Sequence, residues 1–280
     1  MARIRVVTDS ACDLSAAMAE ERGVTIVPLS IRFGSEEFVD GSTLSTDEFW
    51  ARCKASSVLP ETSAPSPGAF QEAFVAAAEA GYDGVLCVNL SSEVSATYQA
   101  AVAAAKGVAD KIPVRVVDSR SLTMGLGLMV LDVAELASTG ATLDQLEARV
   151  DALAGRTQVY GVLDTLEHLE KGGRIGGAQK LLGSLLSIKP VVTLLDGRVE
   201  EESKQRTRGR SLRYLADKAK NSPPISRLAV CNGAAVDVDE VLGMLQDVPT
   251  DHPLVVTDLG PVVGTHTGPG TVGLCIVTRE

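Results

Sequence analysis

Arg3-Ile4-Arg5-Val6-Val7-Thr8-Asp9-Ser10 opens the chain with a β-branched run that stops abruptly at two helix-capping residues. A helical stretch from Ser15 to Arg22 and a second strand from Val24 to Ile31 follow, so the N-terminus reads as a βαβ unit. Three more apolar runs end in the same polar fashion: Val88-Asn89-Leu90-Ser91-Ser92, Val116-Val117-Asp118-Ser119 and Val255-Val256-Thr257-Asp258. Parallel strands buried on both faces look like this, and ligands of such sheets bind outside their carboxyl ends. Asp9, Ser10 and Asp118 also suit simple helix capping, so both roles remain open for them.

Between these strands, helices are expected from Ser45-Thr46-Asp47-Glu48 onward, over Ala69–Ala80, Val94–Lys106, Gly125–Ala137 and Leu143–Leu153. After Gly155 the pattern changes. Val159–Leu163, Lys189–Leu195 and Val199–Lys204 read as strands, the last two joined by Asp196-Gly197, a strong hairpin turn that implies antiparallel pairing. A helix over Arg208–Asn221, a strand over Arg227–Cys231, a helix over Val238–Gln246 and strands Leu254–Asp258 and Val272–Thr278 complete the chain. The expected fold class is α/β with two domains. Residues 1–156 form an N-terminal parallel-sheet α/β/α domain, and residues 157–280 a C-terminal mixed, partly antiparallel α/β domain.

The 280 residues allow two domains with cores that need no staples. Hydrophobic residues make up 45% but aromatics only 4%, so the interior must be filled by Ala, Val, Leu and Ile. Cys12, Cys53, Cys87, Cys231 and Cys275 are widely spaced and odd in number, which fits neither a disulfide framework nor a zinc site. With no apolar signal-peptide core and no run long enough to span a bilayer, a cytoplasmic protein is expected. A net charge of −10 argues against nucleic acid as a partner. The charge is uneven, however: Lys171 to Lys220 holds 12 Lys or Arg against 5 Asp or Glu. That stretch is either a set of solvated helix faces or a docking surface for an acidic protein.

Two hydroxyl-rich segments and one glycine-rich segment carry the candidate chemistry. Ser91 to Thr97 has more hydroxyls than one helix start can use, and Ser92 or Ser95 lies near the start of the helix carrying Tyr98, where free N–H groups favour an anion. Thr62-Ser63-Ala64-Pro65-Ser66-Pro67 is read as an exposed loop stiffened by two prolines, either holding its hydroxyls in place or simply bridging elements. In Gly264-Thr265-His266-Thr267-Gly268-Pro269-Gly270, His266 sits among glycines that leave a ligand room. His168, following Leu166-Glu167 in a helical pattern, reads as structural, and no histidine pair has metal-ligand spacing.

Familiar motifs fail their context. Gly268-Pro269-Gly270-Thr271-Val272-Gly273 matches Gly-x-Gly-x-x-Gly but leads into a strand instead of opening a helix. Lys171-Gly172-Gly173-Arg174-Ile175-Gly176-Gly177 lacks the Gly-Lys-Ser/Thr of a P-loop and is read as a flexible surface loop presenting Arg174, whose fork suits carboxylate or phosphate. There is no Gly-x-Ser-x-Gly elbow, and no hydroxyl or thiol stands beside an evident base.

In order and spacing, these pieces resemble the DegV family, which includes the fatty-acid-binding subunits of bacterial fatty acid kinase. The resemblance covers residues 3–279 and rests on Thr8-Asp9-Ser10, Thr62-Ser63-Ala64-Pro65-Ser66, Leu90-Ser91-Ser92 through Tyr98-Gln99, Val117-Asp118-Ser119, Leu169 through Ile175, and Gly264 through Gly270. It implies a DegV-like fold and a lipid-binding protein with no catalytic residues, metal or cofactor. The implied ligand is a long-chain fatty acid such as palmitate, and the implied partner a dihydroxyacetone-kinase-like fatty acid kinase subunit, with transient membrane contact allowed. Thr62, Ser95 and His266 would bind the carboxylate, Ser63 and Ser92 are further candidates, and Arg174 would dock the partner. Ala64 and Ala96 depart from the Gln and Gly common in the family. The alternative is a small-carboxylate or phosphosugar enzyme using His266 as acid or base with Asp9 or Asp118.

Overall fold

A computed structural model describes residues 2–56, 58–184 and 188–280. In chain order the first half contains β1 (Ile4–Asp9), α1 (Ala16–Glu21), β2 (Thr25–Val27), β3 (Ser30–Phe33), β4 (Glu36–Val39), α2 (Thr46–Ala55), β5 (Glu61–Ser63), α3 (Pro67–Glu79), β6 (Gly84–Asn89), α4 (Thr97–Gly107), β7 (Val114–Asp118), α5 (Thr123–Ser138) and α6 (Leu143–Ala154). The second half contains β8 (Thr157–Val162), α7 (Glu167–Lys171), β9 (Lys189–Leu195), β10 (Arg198–Gln205), α8 (Arg208–Lys220), β11 (Ile225–Gly233), α9 (Val238–Leu245), β12 (Val255–Asp258), α10 (Pro261–Thr267) and β13 (Thr271–Thr278).

Three sheets result. The β-branched opening run becomes β1 of a fully parallel four-stranded sheet ordered β2-β1-β6-β7. The later strands form a mixed six-stranded sheet ordered β10-β9-β8-β13-β11-β12, in which only β11 and β12 run parallel. Asp196 and Gly197 take left-handed conformations at the tip of the β9–β10 hairpin, as the two-residue turn requires. A small antiparallel sheet, β4-β3-β5, is the third.

Four local expectations are corrected. Val24–Ile31 is two strands in two sheets, because Pro28 between them has no N–H to donate and breaks the ladder. Thr62 and Ser63 belong to β5 instead of an exposed loop, pairing with Ile31 and Ser30 of β3. Gly264 to Thr267, for which no element was expected, forms most of α10, with Pro261 at its first turn and Gly268 at φ 78° closing it. The helix expected from Val94 starts at Thr97, and a 3-10 helix over Gly176–Ser184 occupies part of the glycine-rich stretch.

The parallel and mixed sheets lie on either side of α5, which packs on β1 and β6 of the first and on β8, β11 and β13 of the second. That position explains why Thr123 to Val130 are all buried. Gly127 makes the approach feasible, since a Cβ there would sit 2.5 Å from the Cys12 carbonyl oxygen. All strands of the parallel sheet precede residue 156 and all those of the mixed sheet follow it, yet one apolar cluster joins Leu86 and Leu126 to Cys231, Val263 and Cys275. The loops after β1, β6 and β7 are therefore held against the inner face of the mixed sheet.

Candidate functional site

At the junction of these layers lies a cavity of about 850 Å³, its open mouth included. Its walls are mainly aliphatic, drawn from Leu29, Leu90, Leu122, Leu169, Val192 and Val262 among others. Thr62, Ser95, Arg174 and His266 line it too. Thr62, Arg174 and His266 also line an adjoining polar pocket with Glu61, His168 and Lys171, so they mark where the greasy interior meets a polar exit.

Each polar group reaches that end by a different route. Alternation along β5 leaves Glu61 and Ser63 exposed while Thr62 is half-buried, its Oγ1 2.8 Å from His266 Nε2. His266 rides on α10, which Trp50 supports from behind by donating from Nε1 to the Leu259 carbonyl. Ser95 sits in the turn before α4, its Oγ accepting from the Thr97 amide at 3.3 Å and lying 2.9 Å from Thr97 Oγ1. Ala96 has φ −80°, so replacing a family glycine there carries no left-handed strain.

The turn carrying Ser95 is tied from three sides. Asp9, fully buried, accepts from the Leu90 amide at 2.9 Å, from Asn89 Nδ2 at 3.0 Å and from the Ala11 amide. Ser91 Oγ donates to the Gly197 carbonyl of the β9–β10 hairpin at 2.7 Å, and Arg198 pairs with Glu93. Arg174 Nε donates to the Val94 carbonyl at 3.0 Å, while its Nη1 donates to the Gly172 carbonyl at 2.6 Å.

Arg174 is accordingly half-buried, which corrects its presentation on a flexible surface loop; the guanidinium satisfies carbonyls that the tight turns leave free. Ser63 is exposed and Ser92 donates its amide to Asp118, and neither lines the cavity. Asp9 and Asp118 lie outside it as well, their carboxylates taken up by backbone N–H groups. His168 turns its Nδ1 to the Thr265 carbonyl, 3.1 Å away. The aliphatic walls were invisible in sequence because they come from strands and turns far apart in the chain.

Burial, reinforced by the positive charge of Arg174 and by His168, pushes the His266 ring down to a pKa of about 4. The ring is therefore neutral near pH 7. Its buried Nδ1 has no partner among the described residues, which favours the tautomer with the proton on Nε2, because a bare lone pair costs less than an orphaned N–H. Nε2–H then donates to Thr62, freeing the threonine proton for an anion. The exit thus offers hydroxyl donors and the Arg174 guanidinium, with Glu61, His168 and Lys171 in the adjoining polar pocket.

This neutral histidine makes a pH prediction. His266 binds a proton more readily unfolded than folded, so it draws stability down as pH falls from about 6.5 to about 4. Burial raises Asp9 and Asp40 to about 6, so these two act in the opposite sense, lowering stability as pH rises from 3.8 to about 6. His266→Gln removes only the first effect. Its urea midpoint relative to the parent should rise between pH 7 and pH 5, and the His266 ring protons should titrate near 4 by NMR; titration near 6.5 would contradict the buried geometry.

Among the described residues, no group of three or more His, Cys, Asp or Glu is placed to hold a metal ion, and no helix is long and apolar enough to cross a membrane. The five cysteines are free thiols. These features define a three-sheet α/β protein with an aliphatic cavity that ends in hydroxyl donors. The model of the DegV family, described as an uncharacterised protein family, matches residues 3–279, and the chain belongs to that family. It is similar to a DegV domain-containing protein of Streptomyces coelicolor, 38% identical over 282 residues that cover 99% of each chain. Among solved structures it resembles a fatty-acid-binding DegV family protein of Thermus thermophilus, with TM-score 0.89 and 32% identity over 99% of this chain and 100% of that one. It also resembles a stearic-acid-binding protein of Eubacterium ventriosum, with TM-score 0.84 and 28% identity over 99% of this chain and 98% of that one.

Proposed function

We propose that this protein binds one long-chain fatty acid, such as palmitate, and presents its carboxyl group to an ATP-dependent fatty acid kinase subunit for acyl phosphate formation. The single observation that carries this is the aliphatic cavity ending at Thr62, Ser95 and His266. The fatty-acid-binding relatives from Thermus thermophilus and Eubacterium ventriosum support it. The acyl tail fills the cavity and the three side chains hold the head. The protein itself transfers no phosphoryl group and needs no cofactor. It works in the cytoplasm, touching membranes only transiently, and residues 1–156 and 157–280 act as two domains that share the site.

Energetics assign the parts. Burying a methylene contributes about 0.8 kcal/mol, so a tail of about 15 carbons supplies on the order of 10 kcal/mol before ordering costs. Charge-assisted hydrogen bonds contribute about 1.5–3 kcal/mol each, so the head group is oriented more than it is held. Arg174 stands close enough to favour the carboxylate electrostatically, yet two of its donors are already engaged by carbonyls.

Native mass spectrometry of freshly purified protein, followed by extraction, should recover a fatty acid in about equimolar amount. Thr62→Ala and Ser95→Ala should each weaken binding by roughly tenfold, as the loss of one charge-assisted bond demands. Unchanged affinity and unchanged acyl phosphate production in both would overturn the carboxylate assignment. Arg174→Glu should lower turnover by the kinase subunit more than it lowers lipid retention. Equal turnover would remove the docking role.

A further inference from the structure

On the inner face of the mixed sheet, one row of cross-strand neighbours runs Val192 on β9, Gly161 on β8, Gly273 on β13 and Cys231 on β11. Two directly paired residues in the middle of that row have no side chain, and both line the cavity. Val192 and Cys231 stand three strand spacings apart, about 14 Å, with bare backbone between them. On either side the floor carries side chains: Val159 and Cys275 face each other two residues farther along, and Thr271, paired with Gly233, stands two residues nearer His266.

Gly161 is not required by its own surroundings, whereas at Gly273 a side chain would press on the neighbouring strand. Both lie outside the left-handed region. A Cβ on Gly161 would meet nothing closer than Val192 Cγ2 at 3.4 Å, an ordinary contact, and one on Gly273 would meet Cys231 Cβ at 3.2 Å. Glycine inside a strand costs stability, and where backbone conformation does not demand it, it marks a close approach by a ligand or another chain. Here the approaching body is whatever fills the cavity.

Depth follows from the strand. Thr271 Oγ1 lies 3.1 Å from the carbonyl of Thr267, next to His266 at the polar exit. Gly273 lies two residues, about 7 Å, beyond Thr271, and the Val159–Cys275 row about 7 Å beyond that. The gap therefore falls partway down the tail, between two narrower levels.

Resting on the fatty-acid reading above, we propose that Gly161 and Gly273 determine the shape of the acyl chain accepted. They open the floor partway along the tail to a chain broadened there by a cis double bond or a methyl branch. A straight saturated chain does not use the extra width.

The test uses the full chain, stripped of lipid, as parent, Gly161→Ala and, independently, Gly273→Ala. Dissociation constants are measured for palmitic acid, cis-9-octadecenoic acid and 10-methyloctadecanoic acid, alongside lipid-free melting temperatures. Gly161→Ala should melt no lower than the parent, yet lose tenfold or more in affinity for the broadened chains and threefold or less for palmitic acid. Loss confined to the unsaturated or the branched acid identifies which broadening the gap serves. An unchanged affinity ratio among the three acids in both folded variants would overturn the assignment while leaving fatty acid binding intact. A parent that binds none of the three would instead overturn the fatty-acid reading beneath it.

Discussion

Shortening the bound fatty acid by four methylenes, from sixteen carbons to twelve, is expected to raise the dissociation constant by about two orders of magnitude. Each methylene withdrawn from the cavity forfeits about 0.8 kcal/mol of transfer free energy, and 1.4 kcal/mol corresponds to tenfold. The loss should exceed that of Thr62→Ala or Ser95→Ala, because each of those removes one hydrogen bond while the tail stays buried. Isothermal titration with a series of saturated acids checks this directly. A flat series, with affinity set by the carboxylate alone, would mean that the aliphatic walls do not hold the tail.

Trp50→Ala should cost about 3–5 kcal/mol of folding stability, the range for deleting a large buried aromatic. Trp50 is 5% exposed, packs edge-on against Phe49 at 4.8 Å between ring centroids, and donates to the Leu259 carbonyl. Removal leaves a void, orphans that carbonyl and withdraws the support behind α10. A Cβ on Gly264 would come within 2.8 Å of both Phe49 and Trp50, so the helix rests on these rings with no slack. Since α10 carries His266 and the wall residues Val262 and Val263, lipid affinity should fall as well. Urea denaturation followed by circular dichroism is the appropriate measure, because the substitution removes the only tryptophan. Trp50→Phe, which keeps most of the packing, should be much milder. A loss under about 1 kcal/mol in Trp50→Ala would show that α2 does not brace α10.

Strand runs, capping residues and the Asp196-Gly197 turn were enough to recover the parallel sheet, the antiparallel hairpin and the central helix α5. Each is specified by neighbours within a few residues, through β-branching, side-chain caps and left-handed turn conformations. Thr62, Ser95, Arg174 and His266 could likewise be singled out by residue type and local spacing. Their mutual placement could not. Thr62 meets His266 across 204 residues of chain, and Arg174 reaches the Val94 carbonyl across 80.

Misplaced elements share one cause. The break at Pro28 and the pairing of Thr62 in β5, like the helix around His266 that was not anticipated, all involve short segments whose state depends on what packs over them. The seven residues Pro261–Thr267 make a poor helix alone, and α10 exists because Phe49, Trp50 and β3 take up its buried side. Gly161 was read as a member of an apolar strand run and Gly273 as that and as the end of a rejected glycine motif, since their significance lies in facing each other beneath a cavity.

The amino-acid sequence by itself determined the α/β class, the parallel-then-mixed order of strands and the hydroxyl-rich segments, because propensity, capping and turn chemistry act over a few residues. Only the tertiary structure decided that those segments converge, that Arg174 turns inward, and that an aliphatic space lies behind them. A cavity is bounded by side chains from many strands, and which of them face it depends on register and packing between sheets, neither of which any local stretch encodes.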